Sequence, residues 1–185
     1  QPTQDAAVRH DITHYMRPGT LQLAALPPLS LYVHLPWCLK KCPYCDFNSH
    51  VRHEKPDEAR YARAIAQELA YVKPRTQARE VTSIFFGGGT PSLMQPATVQ
   101  SVLDEIARHW TISKDAEITL EANPGTVEAE KFAGFRSAGV NRLSLGIQSF
   151  NDDHLKALGR IHGAAEAKRA AQLAGEHFDA FNLDL

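Results

Sequence analysis

Short apolar runs alternate with longer helical patterns along most of the chain. We predict strands over residues 31–35, 81–86, 117–121, 142–147 and 181–185. Helices are predicted between them, over residues 56–72, 96–110, 127–138 and 163–177. Repeated strand, helix, strand units give parallel strands joined by right-handed crossovers. The pattern therefore predicts an α/β fold with the element order of a TIM-like barrel.

The first 30 residues show no sustained hydrophobic period, and Pro18-Gly19 and Pro27-Pro28 interrupt them. We predict an extended leader over residues 1–30 and a core barrel over residues 31–185. His10 and His14 stand four residues apart in this leader, but in so polar a stretch solvated histidines are expected rather than a metal pair.

Composition narrows the class of protein. The chain is 43% hydrophobic and 22% charged, as in ordinary globular proteins. A net charge of -1 without a long basic run argues against a nucleic-acid partner. No apolar stretch reaches the roughly 18 residues of a membrane span, so no transmembrane segment is expected. The start lacks a secretory pattern, and the cytoplasm is the expected location because its reducing conditions suit free thiols.

All three cysteines lie in one run, where Cys38, Cys42 and Cys45 form a C-x3-C-x2-C pattern. Three thiolates on one loop can ligate three irons of a 4Fe-4S cluster, which leaves the fourth iron open for chemistry. The odd number and the tight spacing argue against disulfides.

A structural zinc site is the alternative for this run, with a fourth ligand from His34, Asp46 or His50. Three free thiols without a metal fit poorly, because Lys40 and Lys41 crowd them on a loop.

Polar, glycine-rich or proline-rich segments follow four of the predicted strands, over residues 36–45, 87–91, 123–125 and 148–150. Loops at the carboxyl ends of parallel barrel strands build the active site, so we expect these segments to converge on one mouth. Glu121 ends an apolar strand, where its carboxylate must face a polar cavity or form a salt bridge. The glycines at 87–89 either make a tight turn or let a ligand lie against the backbone.

Together, the segment from Tyr32 to Cys38, the cysteine run and the loop from Gly87 to Pro91 resemble the radical S-adenosylmethionine (SAM) superfamily. More narrowly, they are similar to its oxygen-independent coproporphyrinogen III oxidases and HemW-type heme chaperones. The resemblance extends from about residue 31 to residue 185. It implies a partial (β/α)6 barrel, with about five of six strands present and the carboxyl-terminal part incomplete.

The resemblance also implies the cofactors, which are a 4Fe-4S cluster on the three cysteines and SAM on its open iron. An electron from the reduced cluster would split SAM into methionine and a 5'-deoxyadenosyl radical. Gly88 and Gly89 match positions that contact the amino acid part of SAM, with Thr90 adjoining, and Glu121 matches one that binds the nucleoside. Further cofactor positions, some of which serve a second SAM in the oxidase, are matched by Tyr32, Gln148, Arg160 and Asp184.

Two functions follow from the resemblance. A heme chaperone would bind heme as cargo, pass it to heme-acceptor proteins and receive electrons for its cluster from a donor. The alternative is the oxidase, an oxidoreductase of the coproporphyrinogen dehydrogenase type. As the family is known, the oxidase carries a further cysteine two residues after the third one, where this chain has Phe47, and we therefore favour the chaperone. A radical SAM enzyme that modifies RNA is disfavoured by the neutral charge, and no catalytic residue is assigned.

Overall fold

The structure is a computed structural model that describes residues 12–20, 24–77 and 79–185. Its strands are β1 (Leu29–Leu35), β2 (Trp37–Cys38), β3 (His50–Val51), β4 (Val81–Gly88), β5 (Ile112–Ala122), β6 (Arg142–Leu145) and β7 (Ala180–Leu183). Its helices are α1 (Ile12–Tyr15), α2 (Glu58–Val72), α3 (Pro96–His109), α4 (Thr126–Ala129), α5 (Phe132–Ser137), α6 (Asp152–Ala157) and α7 (Ala164–His177). Single 3-10 turns cover Lys73–Arg75 and Pro91–Leu93.

Five of these strands form one sheet in the order β1, β4, β5, β6, β7, and every neighbouring pair is parallel. The order follows the sequence, as in a TIM barrel, where each strand lies beside the one before it. The α/β fold and the partial TIM-like barrel are therefore confirmed. The short strands β2 and β3 pair with each other in parallel, outside this sheet.

The two faces of the sheet differ in chemistry. On one face the side chains of Val33, Ile84, Phe86, Leu120 and Leu143 are almost fully buried against the helices. Burying each such side chain contributes about 1.5–3 kcal/mol. The residues that alternate with them point to the other face, which is largely polar. A parallel sheet that is packed on both faces reads as a continuous apolar run, so this alternation shows that only one face is core.

The packing helices present small or branched residues to this core. Helix α3 buries Val99, Val102 and Ile106, at helical spacing. Helix α7 buries Ala167, Ala170 and Ala174, and the lack of bulk at these positions lets the helix lie close to its neighbours.

The structure differs from the predicted elements mainly at boundaries. Strand β1 begins two residues earlier, at Leu29, and β5 five residues earlier, at Ile112. The predicted helix over 127–138 is divided into α4 and α5, and the break lies beside Lys131, whose ammonium donates to the carbonyls of Ser92, Leu93 and Met94. Helix α6 was not predicted, although the capping residue Asn151 signals its start.

The leader remains a prediction, because much of residues 1–30 lies outside the described residues. Within it, α1 forms a single helical turn at Ile12–Tyr15. His10 lies outside the described ranges, so the prediction for the pair of His10 and His14 falls outside the described residues. Among the described helices, none combines the length and the apolar character needed to cross a membrane.

Candidate functional site

The cysteine loop is closed at its base by main-chain hydrogen bonds. The His50 N–H donates to the Pro36 carbonyl at 2.7 Å, and the Arg52 N–H donates to the Cys38 carbonyl at 3.0 Å. Inside the loop, the Lys41 ammonium donates to the carbonyls of Phe47 and Ser49. The closed base holds Cys38 buried and leaves Cys42 and Cys45 half-buried. The three thiols are thus presented by a short loop that is tied to itself.

The glycine loop docks this cysteine loop against the sheet. The Gly89 N–H donates to the Leu35 carbonyl at 2.6 Å, and the Thr90 N–H donates to the Trp37 carbonyl at 2.8 Å. Gly88 has a φ of +113°, which favours glycine, and a Cβ there would lie 2.8 Å from the Leu35 oxygen. A Cβ on Gly89 would collide with the Trp37 main chain, 2.8 Å from its carbonyl carbon. Close approach of two backbones therefore requires both glycines.

All three cysteines and most of the predicted cofactor residues line one cavity at the carboxyl ends of the strands. The predicted residues that line it are Cys38, Cys42, Cys45, Gly88, Gly89, Thr90, Glu121, Gln148, Arg160 and Asp184. The predicted convergence of strand-end loops on one mouth is therefore found in the structure. The roles of the individual residues in holding a cofactor stay predictions.

Tyr32 lies apart from the other predicted cofactor residues. It does not line the cavity, and its ring lies on the polar face of the sheet, 6.1 Å from the Phe85 ring between centroids. Its hydroxyl is 3.3 Å from Nδ1 of His34. Burial and then the Glu121 carboxylate raise the pKa of Tyr32.

Glu121 ends β5 and faces the cavity. Its Oε2 accepts a hydrogen bond from the Gly88 N–H at 3.1 Å, so its partner is the glycine backbone, whereas the alternative was a salt bridge. Burial raises the pKa of Glu121, and the Asp184 carboxylate raises it further, whereas the Gly88 N–H and His34 act in the opposite direction. A partly desolvated carboxylate of this kind is typical of a binding site.

The raised pKa of Glu121 makes stability depend on pH. The contribution of Glu121 to the free energy of unfolding is fully present below its ordinary pKa of 4.5. That contribution is lost as the pH rises through the higher pKa of the folded state. The variant Glu121→Gln keeps an oxygen that accepts from Gly88 but carries no charge. We expect it to unfold at a higher temperature than the parent near neutral pH, and at the same temperature below about pH 4.5. Circular dichroism melts across this range test the prediction, and parallel curves would contradict it.

Arg160 joins the cysteine loop to the strand-end loops. Its Nη1 donates to the Cys42 sulfur at 3.6 Å and to the Tyr44 hydroxyl at 3.4 Å. Its Nη2 donates to Oδ1 of Asn123 at 2.7 Å and to the Gly146 carbonyl at 2.6 Å. Its Nε is buried without a partner within the described structure. A fixed guanidinium beside a thiolate offsets negative charge, which suits an anionic cluster site.

Gln148 and Asp184 form the far wall of the cavity. Gln148 has a φ of +66°, which is rare for a residue with a side chain and costs on the order of 1 kcal/mol. Its N–H donates to the Asp184 carbonyl at 2.6 Å. The Asp184 carboxylate accepts from the Ser144 hydroxyl at 3.2 Å and from the Asn182 amide at 2.7 Å. Strain held by such contacts is common at binding sites.

Tyr44, Asn123 and Ser144 also line the cavity but were not predicted as cofactor residues. Tyr44 lies between two cysteines, and Asn123 opens a strand-end loop, so their positions carried a signal. Ser144 had none, because a serine inside a short strand is ordinary.

The donor set at the cavity fits an iron-sulfur cluster. Thiolates are soft ligands that hold such clusters, and each would bind a different iron. Within the described ranges, no three His, Cys, Asp or Glu side chains come close enough to hold a single ion together. Of the three candidates for a fourth zinc ligand, His34, Asp46 and His50, the first already uses its Nε2 with the Asn48 carbonyl, at 2.8 Å. The residues present thus fit the cluster better than the zinc site.

Two curated relatives share about half of their aligned residues with this chain. The heme chaperone HemW of Escherichia coli (strain K12) is 52% identical over 164 residues, which cover 88% of this chain and 43% of that protein. The heme chaperone HemW of Haemophilus influenzae is 54% identical over 165 residues, which cover 86% and 43%. The chain therefore spans less than half the length of these relatives.

A solved structure and a family model agree with these relatives. The structure of the radical SAM enzyme coproporphyrinogen III oxidase (HemN) from Escherichia coli matches with a TM-score of 0.77 and 32% identity. This match covers 85% of the present chain and 37% of the oxidase chain. The family model of the radical SAM superfamily matches residues 32–184, which include every residue of the cavity named above. Superfamily members use SAM and an iron-sulfur cluster. The chain belongs to the radical SAM superfamily.

Proposed function

We propose that this chain is the cluster-binding and SAM-binding part of a heme chaperone, a protein that binds heme and transfers it to acceptor proteins. The observation that carries the proposal is the place of Phe47, which lines the same cavity as the three cysteines. The resemblance puts a further cysteine of the oxidase at this position. A phenylalanine can pack there but cannot ligate, donate or undergo redox chemistry. The identity to two heme chaperones supports the same choice.

Cys38, Cys42 and Cys45 would hold the 4Fe-4S cluster, and Arg160 would offset the charge of its thiolates from the Cys42 side. The Gly88 and Gly89 main chain and the Glu121 carboxylate, which line the same cavity as the three cysteines, would hold SAM. When bound together, the cluster and SAM supply one-electron chemistry. Cys38 is buried where the glycine loop meets the cysteine loop, whereas Cys42 and Cys45 are half-buried.

Further parts of the proposal concern partners and location. Heme is the cargo, heme-acceptor proteins receive it, and a one-electron donor protein reduces the cluster. The expected location is the cytoplasm, because its reducing conditions suit thiolate ligands.

The oxidase is the second candidate function. It is favoured by the similarity of the fold to HemN, at 32% identity. In that case the chain would be part of an oxidoreductase that decarboxylates coproporphyrinogen III, with Phe47 as a spectator.

SAM binding should depend on Glu121. We expect Glu121→Ala to weaken SAM binding by about tenfold or more, the usual effect of losing a hydrogen bond to a charged group, and to leave cluster content unchanged. Asp115→Ala, on the exposed part of the same strand, is the matched control. Calorimetric titration of the anaerobically reconstituted protein with SAM measures both. An unchanged affinity in Glu121→Ala would remove this residue from the site.

The two candidate functions are separated by one assay. The protein is reconstituted anaerobically with iron and sulfide, supplied with SAM and a reductant, and divided into two samples. One is titrated with heme, and the other is given coproporphyrinogen III. We expect stable heme binding, transfer to an apo-heme protein and no protoporphyrinogen. Protoporphyrinogen formation at enzymatic rates would establish the oxidase instead, and loss of both activities would contradict both candidates.

A further inference from the structure

The polar face of the sheet carries a row of side chains outside the cavity. Tyr32 pairs with Phe85, Phe85 with Thr119, and Thr119 with Arg142 in the strand register, so the four lie side by side on β1, β4, β5 and β6. Residues paired in register point to the same face. None of the four lines the cysteine cavity. We call this set the lower row, because it lies one layer below Glu121 and Ser144.

The lower row is unlike the interior of an ordinary TIM barrel. Branched apolar side chains usually fill that interior in layers. Here the next layer down pairs Ser30 with Ser83, joined by a hydrogen bond of 2.7 Å between their hydroxyls. The layer above pairs Glu121 with Ser144. Polar layers on both sides of the lower row indicate a lumen that receives a ligand.

Arg142 is positioned in this lumen with donors to spare. Its Nη2 donates to Oδ1 of Asn182 at 2.6 Å, and its Nη1 donates to the Thr119 hydroxyl at 3.4 Å. Its Nε lies 3.7 Å from Oε2 of Glu117, a side chain that is 58% exposed. A guanidinium has five N–H groups, so these two hydrogen bonds leave a free N–H on each terminal nitrogen. This fork matches a carboxylate.

The charged residues on the polar face indicate that the ligand group bound by Arg142 is anionic. The layer above the lower row contains the Glu121 carboxylate, and Asp184 lies beyond it. These groups repel an anion from the cavity side. In the rows that pair across β1, β4, β5 and β6, Arg142 is the one lysine or arginine on this face. An anionic group in the lumen is therefore directed to Arg142.

The other end of the lower row is aromatic. The Tyr32 and Phe85 rings are stacked, with an angle of 19° between their planes, and Tyr32 is 58% exposed although it lies within a strand. Three strand spacings separate Tyr32 from Arg142, which is about 14 Å. An exposed tyrosine stacked on a half-buried phenylalanine, on the same face as a hydrogen-bonded guanidinium, fits a flat, apolar ligand with a carboxylate arm.

We infer that Arg142 binds a propionate of a tetrapyrrole whose ring plane packs against Tyr32 and Phe85. The inference rests on the proposed heme-binding function and assigns the part of the barrel that takes the cargo. It places the propionate of the tetrapyrrole outside the cavity that the cysteines and Glu121 line, because Arg142 does not line that cavity.

The test compares heme with its dimethyl ester, in which both propionates are neutral. Each is titrated into the anaerobically reconstituted protein, and the dissociation constant is read from the heme absorption band. We expect Arg142→Ala to weaken heme binding about tenfold or more, and to leave binding of the ester unchanged. The ester should bind the parent as weakly as heme binds the variant. Arg142→Lys, which keeps the charge but loses the fork, should lie between them.

Two further variants keep the result interpretable. Glu117→Gln removes the carboxylate that competes for Arg142, so heme should bind several-fold more tightly and the ester unchanged. Arg108→Ala changes an exposed arginine on α3 and should have no effect. Equal losses of heme and ester in Arg142→Ala would overturn the inference, because they indicate general damage to the fold. Heme binding that no Arg142 variant alters would overturn it while the proposed function stands, and a parent without heme binding would overturn both.

Discussion

Replacing any one of Cys38, Cys42 and Cys45 by alanine is expected to abolish the iron-sulfur cluster. The chain has no other cysteine, so no spare thiol can take over. Changes to residues that merely support a metal ligand already cost about 10–100-fold in affinity, and loss of a ligand itself should cost more. The protein should lose its brown visible absorption and its bound iron and sulfide after anaerobic reconstitution. Optical spectra and iron and sulfide analysis on each variant measure the effect.

Ser49→Ala is the matched control for these variants. Ser49 follows the cysteine run closely, is buried, and has a hydroxyl without a partner among the described residues. The change thus removes one γ atom near the same loop without removing a thiol. We expect full cluster content in Ser49→Ala. A triple Cys→Ala variant that still held a 4Fe-4S cluster at full occupancy would refute the assignment of the metal site.

Gly89→Ala is expected to have the largest effect on stability. The added Cβ meets the main chain of Trp37, with its nitrogen 2.9 Å away, and a backbone cannot step aside as the end of a flexible side chain can. Overpacking of this kind lowers the free energy of unfolding by about 1–3 kcal/mol. We expect a loss of about 3 kcal/mol, the upper end of this range, because the backbone at Trp37 cannot move aside. For a chain of this size that lowers the melting temperature by roughly 6–12 °C. Cluster loading should fall as well, because the clash lies where the cysteine loop docks on the sheet.

Gly175→Ala is a control that makes the same substitution but should change the melting temperature in the opposite direction. Gly175 lies in α7, where the nearest atom to an added Cβ is 3.7 Å away on the Phe181 ring. Alanine is the better helix former by up to about 1 kcal/mol, so the melting temperature should rise. Thermal melts of the two variants beside the parent decide the question. Equal melting temperatures of the two variants would contradict the close contact between Gly89 and the Trp37 main chain.

The features that depend on local sequence could be predicted. Short apolar runs between helical patterns identified the five strands of the sheet, and the rule for loops at the carboxyl ends of parallel strands grouped most of the cavity residues. Strand ends were misplaced, as at Leu29, because main-chain pairing continues where side chains give no signal. Contacts between distant segments were also out of reach, such as the hydrogen bond from Arg160 to the Cys42 sulfur.

Tyr32 shows a different limit. Its position in the motif put it among the cofactor residues, and that role stays a prediction; its ring lies on the polar face of the sheet and does not line the cavity. A motif reports which residues occur together in sequence, whereas the register of the sheet decides which layer each side chain enters. The lower row depends on the register of four strands, which the sequence does not show.

The 118 residues that separate Cys42 from Arg160 have a consequence for biosynthesis. A ribosome adds about 5–20 residues per second, so the cysteine loop leaves it roughly 6–24 s before the arginine that closes the site. During that interval the three thiols are in the nascent chain without the wall that later shields them. Oxidation of a thiol competes with folding in this interval. The yield of loadable protein should therefore depend on oxygen during synthesis as well as during reconstitution, and cells that translate it without oxygen should yield more.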